Sequence, residues 1–154
     1  MVDFLIIGPY NAITYNEVFP LFKDDVISLG VSRRGMSFIN NDVKINSCWF
    51  SNLDHPGPGP LTLKKGGEYR KFDNYDCINI DRISDIPSDY DGLMGVPITF
   101  MDRYDRRQFR IVGFLNNGCR LDENGLQGNN GIQMTLVGGV CKYFRILIKR
   151  RKDG

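Results

Sequence analysis

The sequence has a single histidine and only four cysteines in 154 residues. Cys48, Cys77, Cys119 and Cys141 are widely spaced, and no CxxC pair occurs. A zinc site wants paired spacing, so a metal-organised module is disfavoured. A disulfide framework is out of character for a chain of this length and type, which leaves reduced thiols, buried or half-buried. No apolar stretch approaches the ~20 residues of a membrane helix. The N-terminus lacks the basic region, apolar core and small-residue cleavage site of a signal peptide, so a cytoplasmic setting is expected. A glycine-rich phosphate loop is missing too. Gly8 follows an apolar run, but the next glycine is Gly30, so neither a dinucleotide fingerprint nor a P-loop can be built. The net charge is only +2, which makes no global electrostatic claim on nucleic acid.

What remains is an ordinary globular composition, 42% hydrophobic and 25% charged, enough for one domain over residues 1–154 with a real core. The charge is unevenly spread. Lys142, Arg145, Lys149, Arg150, Arg151 and Lys152 form a C-terminal basic run without an acid. Arg103, Arg106 and Arg107 form a second cluster, interleaved with Asp102 and Asp105. Arg33-Arg34, Lys64-Lys65 and Arg70-Lys71 are further pairs, while Asp73, Asp76, Asp81, Asp85, Asp89 and Asp91 make the middle acidic. Such runs are most often solvated faces, so each cluster alone is weak support for a binding surface.

The pattern of elements is mixed. Phe4-Leu-Ile-Ile7 is an unbroken apolar run closed by Gly8-Pro9, which predicts a strand buried on both faces. Thr14 and Glu17 have capping-box spacing, which predicts a helix kept short or kinked by Pro20. Val26 to Leu29 predicts a second strand, and the three pieces together a right-handed parallel crossover. Cys48 to Leu53 predicts a third strand, and the Pro-Gly run 56–60 a loop. Residues 66–92 read as irregular structure with one short strand around Ile78–Ile80. Ile98 to Phe100 predicts a short strand, residues 102–109 a turn, and Phe109 to Val112 a strand. Residues 116–131, dense in Asn and Gly, predict a loop. Ile132, Met134 and Leu136 alternate, as do Phe144, Ile146 and Ile148, across Gly138-Gly139, which predicts a hairpin with a tight primed turn.

No catalytic set emerges from the residues themselves. The aspartates at 85, 89 and 91 lack the spacing and terminal Glu of a cation loop. Cys48 and His55 are close in sequence but have no third member. A mixed α/β sheet with basic clusters, aromatics and long polar loops suits a surface that grips an extended polar ligand such as DNA.

Four stretches then carry a resemblance: FLIIGPYNAITYNEVFPLFKDDVISLG, CWFSNLDH, YDCINIDRISDIPSDYDGLMGVPITFMDRYDRRQFRIVGF and YFRILIKRR. Together, in order and over nearly the whole chain, they resemble the C-terminal half of the EcoRI-type adenine-specific DNA methyltransferase family. The resemblance implies an α/β fold: the distal half of a class I, Rossmann-like methyltransferase sheet, strand-rich, with long loops and a C-terminal β-hairpin. Members of that family hold S-adenosylmethionine in an earlier half and carry a catalytic Asn-Pro-Pro-Phe tetrad. No Asn-Pro-Pro or Asp-Pro-Pro occurs here, so the resemblance implies a truncated methyltransferase with no catalytic, cofactor-binding or metal residue of its own. It would supply DNA contacts and part of the catalytic sheet of a site-specific adenine-N6 methyltransferase from a restriction-modification system.

By the same analogy, Asn11 and Tyr15 lie near the mouth where a flipped base enters. Arg33, Arg34, His55, Lys64, Lys65, Arg103, Arg106, Arg107, Lys149 and Arg150 complete the candidate DNA-binding set. The implied partner is double-stranded DNA. A separate N-terminal methyltransferase half, or self-association, would supply the missing strands. Two other readings stay open: a non-catalytic DNA-binding module, and a protein-interaction domain whose basic clusters are merely solvated.

Overall fold

The computed structural model describes residues 2–30, 36–37, 44–73, 75–115, 136–142 and 144–151. The chain divides into two compact units, Met1–Gly59 and Pro60–Gly154.

The first unit is built on a three-stranded sheet. Strand β1 is Leu5–Pro9, β2 is Ser28–Leu29, and β3 (Met36–Ser37) and β4 (Lys44–Ile45) form a separate two-residue ladder. Strand β5, Ser47–Ser51, lies between β1 and β2 and runs antiparallel to both. So β1 and β2 do run parallel, as the crossover reading required, but they are not neighbours. A later, antiparallel strand has been inserted between them.

Between β1 and β2 the chain turns through a 3-10 helix, Tyr10–Thr14, and a short helix α1, Phe19–Lys23. The capping-box expectation fails here. Thr14 is inside the 3-10 turn and its hydroxyl donates back to the Asn11 carbonyl at 2.8 Å. Helix α1 starts only at Phe19, with Pro20 in the first turn, where its missing N–H costs nothing. Phe19 and Phe22 are buried, and the Phe22 ring packs at 5.9 Å from that of Phe50. Gly30 closes β2 because the Trp49 Cβ lies 2.7 Å from where a side chain would start.

The expectation that residues 4–7 are buried on both faces is overturned. Leu5, Ile6 and Ile7 are 53%, 55% and 42% exposed. The physical reason is position: β1 is the edge strand of its sheet, and about half of the surface of Leu5, Ile6 and Ile7 stays open to solvent.

The second unit is a four-stranded sheet in the order β6-β7-β11-β8, with β6 Ile78–Asn79, β7 Met94–Pro97, β8 Phe109–Leu115 and β11 Arg145–Arg150. β6 and β7 are parallel, and β11 is antiparallel to both β7 and β8. Ile146, Leu147 and Ile148 are all buried, so β11 is the strand covered on both faces. Leu147 packs in a cluster with Phe72, Tyr75, Cys77, Val112, Leu115 and Val137. The register with β8 shifts between Leu147 and Ile148, where Val112 is the extra residue. Such a bulge flips the alternation, which is why Ile111 and Val112 are buried side by side.

Two further expectations change in this unit. Ile98 to Phe100 is not a strand: β7 ends at Pro97, and Ile98–Arg103 is a 3-10 helix. The C-terminal hairpin is real and, among the described residues, two residues deep; Ile132 and Met134 of its expected first arm lie outside them. It joins β9 (Leu136–Val137) to β10 (Val140–Cys141), with Gly138 and Gly139 at φ 56° and 75° as a primed turn demands. The run Phe144 to Ile148 leaves the hairpin and enters the large sheet instead. The expected loop at 116–131 lies outside the described residues.

The turn is clamped from a distance. The Asp73 carboxylate accepts the N–H groups of Gly138 and Gly139, both at 2.9 Å, and the Asp73 N–H donates to the Leu136 carbonyl. The Gly139 and Gly138 N–H donors hold the Asp73 carboxyl below its ordinary range. A lowered folded-state value stabilises above the unfolded value, about 3.9, and is lost as pH falls through the folded value. We therefore expect the Gly138 and Gly139 amides to exchange about tenfold faster, or more, in Asp73→Ala at neutral pH. The wild type should lose the same protection only in acid. Hydrogen exchange read by NMR checks both, and unchanged protection in the variant would dissociate the clamp from the turn.

Candidate nucleic-acid interface

The turn after the 3-10 helix is organised by one buried carboxylate. Asp105 accepts the Arg107 backbone N–H at 2.9 Å, and its carbonyl accepts from Gln108 and Phe109. This local bonding is what aspartate offers a turn. The Arg107 guanidinium forks onto the same carboxylate, Nε to Oδ1 at 2.9 Å and Nη2 to Oδ2 at 2.7 Å. The Arg107 side-chain hydrogen bonds hold the Asp105 carboxyl below its ordinary value, and Asp105 in turn raises Arg107. Arg107 thus keeps an exposed face but its charge is already paired.

The neighbouring cations are placed differently. Arg103 ends the 3-10 helix and is exposed, and Arg106 is exposed on the turn. Strand β8 follows at once, and the sheet register sets Arg110 directly opposite Lys149 of β11. Directly opposed residues share a face with Cβ atoms about 4.5–5.5 Å apart, and like charges there are destabilising. Neither Arg110 nor Lys149 has an ion-pair partner among the described residues. Arg151 closes the ladder, its N–H donating to Gln108 and its Nε to the Phe109 carbonyl. Two basic clusters some forty residues apart in sequence therefore meet at one end of the β8–β11 ladder.

The other candidates fall elsewhere. Arg150 points the opposite way from Lys149, donating to the Ser88 carbonyl and lying 4.0 Å from Asp91. Lys64 bridges to the 86–88 segment through its backbone and pairs with Asp85 at 3.6 Å. Lys65 beside it is exposed. Lys64 also lines a groove of about 420 Å³ with Arg70, Lys142, Glu68 and Asp81, whose charges are mixed.

In the first unit, His55 Nδ1 donates to the Pro56 carbonyl at 3.2 Å, so in the neutral ring Nε2 accepts the Ser28 hydroxyl at 2.9 Å. Asn11 and Tyr15 lie at the two ends of the 3-10 turn after β1, both open to solvent. Arg33 and Arg34 lie outside the described residues. Cys77 is buried and its thiol is pushed up to about 12, chiefly by burial, which makes it inert as a nucleophile. Among the described residues, no group of three or more His, Cys, Asp or Glu could hold a metal ion. No helix among them is long and apolar enough to cross a membrane.

Residues 35–151 match the family described as adenine-specific methyltransferase EcoRI. The chain belongs to that family. Against the Type II methyltransferase M.EcoRI of Escherichia coli, this EcoRI-type chain is 40% identical, over 97% of its own length and 50% of that protein's. Against M.MgeORF184P of Mycoplasma genitalium it is 32% identical over 97% of its length and 57% of the relative's. Against M.MpnI of Mycoplasma pneumoniae the figures are 29%, 98% and 57%. The chain thus spans about half the length of the curated relatives it matches. No solved structure matches it significantly.

Arg110 was missing from the candidates read from sequence. The signal was present: in a strand starting at Phe109, alternation turns residue 110 outward. The Asp105 turn gives a direct test. Its carboxyl should titrate below the ordinary 3.9 or so of aspartate, and Arg107→Ala should move it back up. The stabilisation is complete above the unfolded value and is lost as pH falls through the folded one. A carboxyl-carbon NMR titration measures this, and an unmoved Asp105 would break the assigned pairing.

Proposed function

We propose that this chain is the C-terminal portion of a site-specific DNA adenine-N6 methyltransferase of a restriction-modification system, acting in the cytoplasm on double-stranded DNA. The observation that carries the reading is the opposed pair Arg110 and Lys149, without an ion-pair partner among the described residues, in a chain of this family. Two like charges across a ladder cost stability, and a phosphate lying between them turns that cost into attraction. Arg103 and Arg106 extend the same basic end towards a backbone, whereas the Arg107 charge is already paired with Asp105.

The second unit supports the fold half of the proposal. Its parallel pair β6 and β7, with β11 antiparallel to β7 and β8, makes a mixed sheet of a kind common in α/β proteins. S-adenosylmethionine, which the family implies, would not be held at the one strand-end glycine that opens the chain. Gly8, the glycine at the end of β1, faces the Phe50 ring, whose Cε2 is 3.0 Å from where a side chain would start. No ribose cradle opens there. The methyl donor and the group that holds the target adenine would belong to the part of the relatives that this chain does not match. By itself the chain would bind duplex and transfer nothing.

Each lost phosphate contact should flatten the dependence of log affinity on log salt by about one unit, whatever the sequence. Arg110→Ala with Lys149→Ala should therefore weaken duplex binding several-fold, about equally for all sequences. Arg107→Ala should cost less. Fluorescence anisotropy with random duplexes at stepped salt measures it. Equal affinities, or no binding by any form, would leave the basic end a solvated surface. A second outcome is expected from calorimetry, where S-adenosylmethionine should give no saturable heat. A clear isotherm would overturn the division of labour.

A further inference from the structure

Strand β1 is unusual as a sheet edge. Native edges are blunted by lysine, by an internal proline, by a bulge or by covering layers. Leu5, Ile6, Ile7 and Gly8 have no charge among them, and β1 pairs with β5 in unbroken register. Successive residues of a strand point to opposite faces, and all of Leu5, Ile6 and Ile7 are around half exposed. Both faces are therefore partly open to solvent, and among the described residues no strand pairs with the outer edge. Of the large apolar side chains exposed among the described residues, all but Val140 lie in the Met1–Gly59 unit.

The strand is also held ready. Ser51 Oγ donates to the Phe4 carbonyl at 2.7 Å, and the Phe4 N–H donates to Asn52 Oδ1 at 2.9 Å. The Asn52 amide reaches the Val2 carbonyl as well. A frayed terminus would not be pinned from two side chains.

We propose that β1 is a docking strand whose occupant is the polypeptide corresponding to the half of the relatives that this chain does not match. This rests on the reading of the chain as part of a methyltransferase. The occupant adds a strand to the free edge and brings layers over both faces. A second copy of this chain does not meet that requirement. Two β1 strands paired edge to edge would satisfy their backbone groups, yet each brings the same bare faces, so the isoleucines and leucine would stay wet. A buried sheet interior needs cover on both sides. The relatives are about twice as long as the chain, which is enough polypeptide to supply it.

The test is co-expression of the 154-residue chain with the unmatched half of the Escherichia coli relative, tagged on the latter. The two should co-elute one to one. Ile6→Lys should reduce the retained chain by about tenfold or more, because a lysine would enter an apolar contact. Ile6 is more than half exposed, so the variant should keep the wild-type circular dichroism. Hydrogen exchange should show the Leu5–Pro9 amides protected further only when the partner is present. Arg110→Ala with Lys149→Ala should co-elute like wild type. Failure to co-elute, or equal retention of Ile6→Lys, overturns the proposal. So does a dimer of the chain alone that Ile6→Lys dissolves, which would make a second copy the occupant. Docking without duplex binding sinks the DNA reading and spares the docking strand, and the reverse pattern does the opposite.

Discussion

The Pro60–Gly154 unit depends on the burial of three consecutive residues, Ile146, Leu147 and Ile148. A strand can bury three in a row only if both its faces are covered and both its edges are paired, and β11 meets all of these conditions between β7 and β8. Burying each such side chain contributes about 1.5–3 kcal/mol, and here three in a row do so on one strand. The rest follows from it. Leu147 collects Phe72, Cys77 and Val112 on one side. Phe109, whose ring meets Phe100 edge-on at 5.4 Å, sits opposite Arg150 in the same ladder. Because β11 is central, the residues just past its buried part are carried to a fixed place at the sheet's end, and that place is where the cations are.

Electrostatics then sort those cations by how firmly each is engaged. Asp81 binds Arg145 and Lys142 and is held below its ordinary range, first by the Asn79 side chain and then by these two cations. Arg150 is drawn to the 88–91 segment. These are half-exposed struts, and from the acidic middle of the sequence it is Asp81 and Asp91 that receive them. Among the described residues, Arg110 and Lys149 receive nothing comparable. The net charge of +2 hides this, because acids and bases that cancel in a count do not cancel in space.

Local chemistry was the legible part of the sequence. Gly138-Gly139 announced a primed turn because two adjacent positive φ values are cheap only for glycine. Phe109 to Val112 announced a strand by its composition. Partnership was not legible. The alternating run 144–148 looks like the return arm of the nearest hairpin, and only long-range pairing with Met94–Pro97 and with Phe109–Leu115 takes it away. Ile98 to Phe100 is as β-prone as any strand here, but Pro97 fixes the entry angle and the 3-10 turn buries Phe100 instead. At β1 the error ran the other way. An apolar run reports what the chain can bury, and its covering layer need not be within the same 154 residues. The basic end of the sheet was half legible: both clusters could be named, but their meeting is set by the β8–β11 register. The Val112 bulge, which keeps Arg110 outward while shifting everything after it, has no mark in the sequence.

The order of synthesis gives β11 one more consequence. It is made after both strands it joins, so β7 and β8 leave the ribosome as unpaired neighbours with an empty slot between them. Pairing across such long sequence separations is slow to form because loop closure precedes any gain. Until the slot is filled, two strand edges and the apolar faces beside them stand open to other chains. The same strand that fixes the finished sheet is thus the last of its strands to arrive, and a nascent chain halted between Leu115 and Arg145 carries an open slot prone to aggregate.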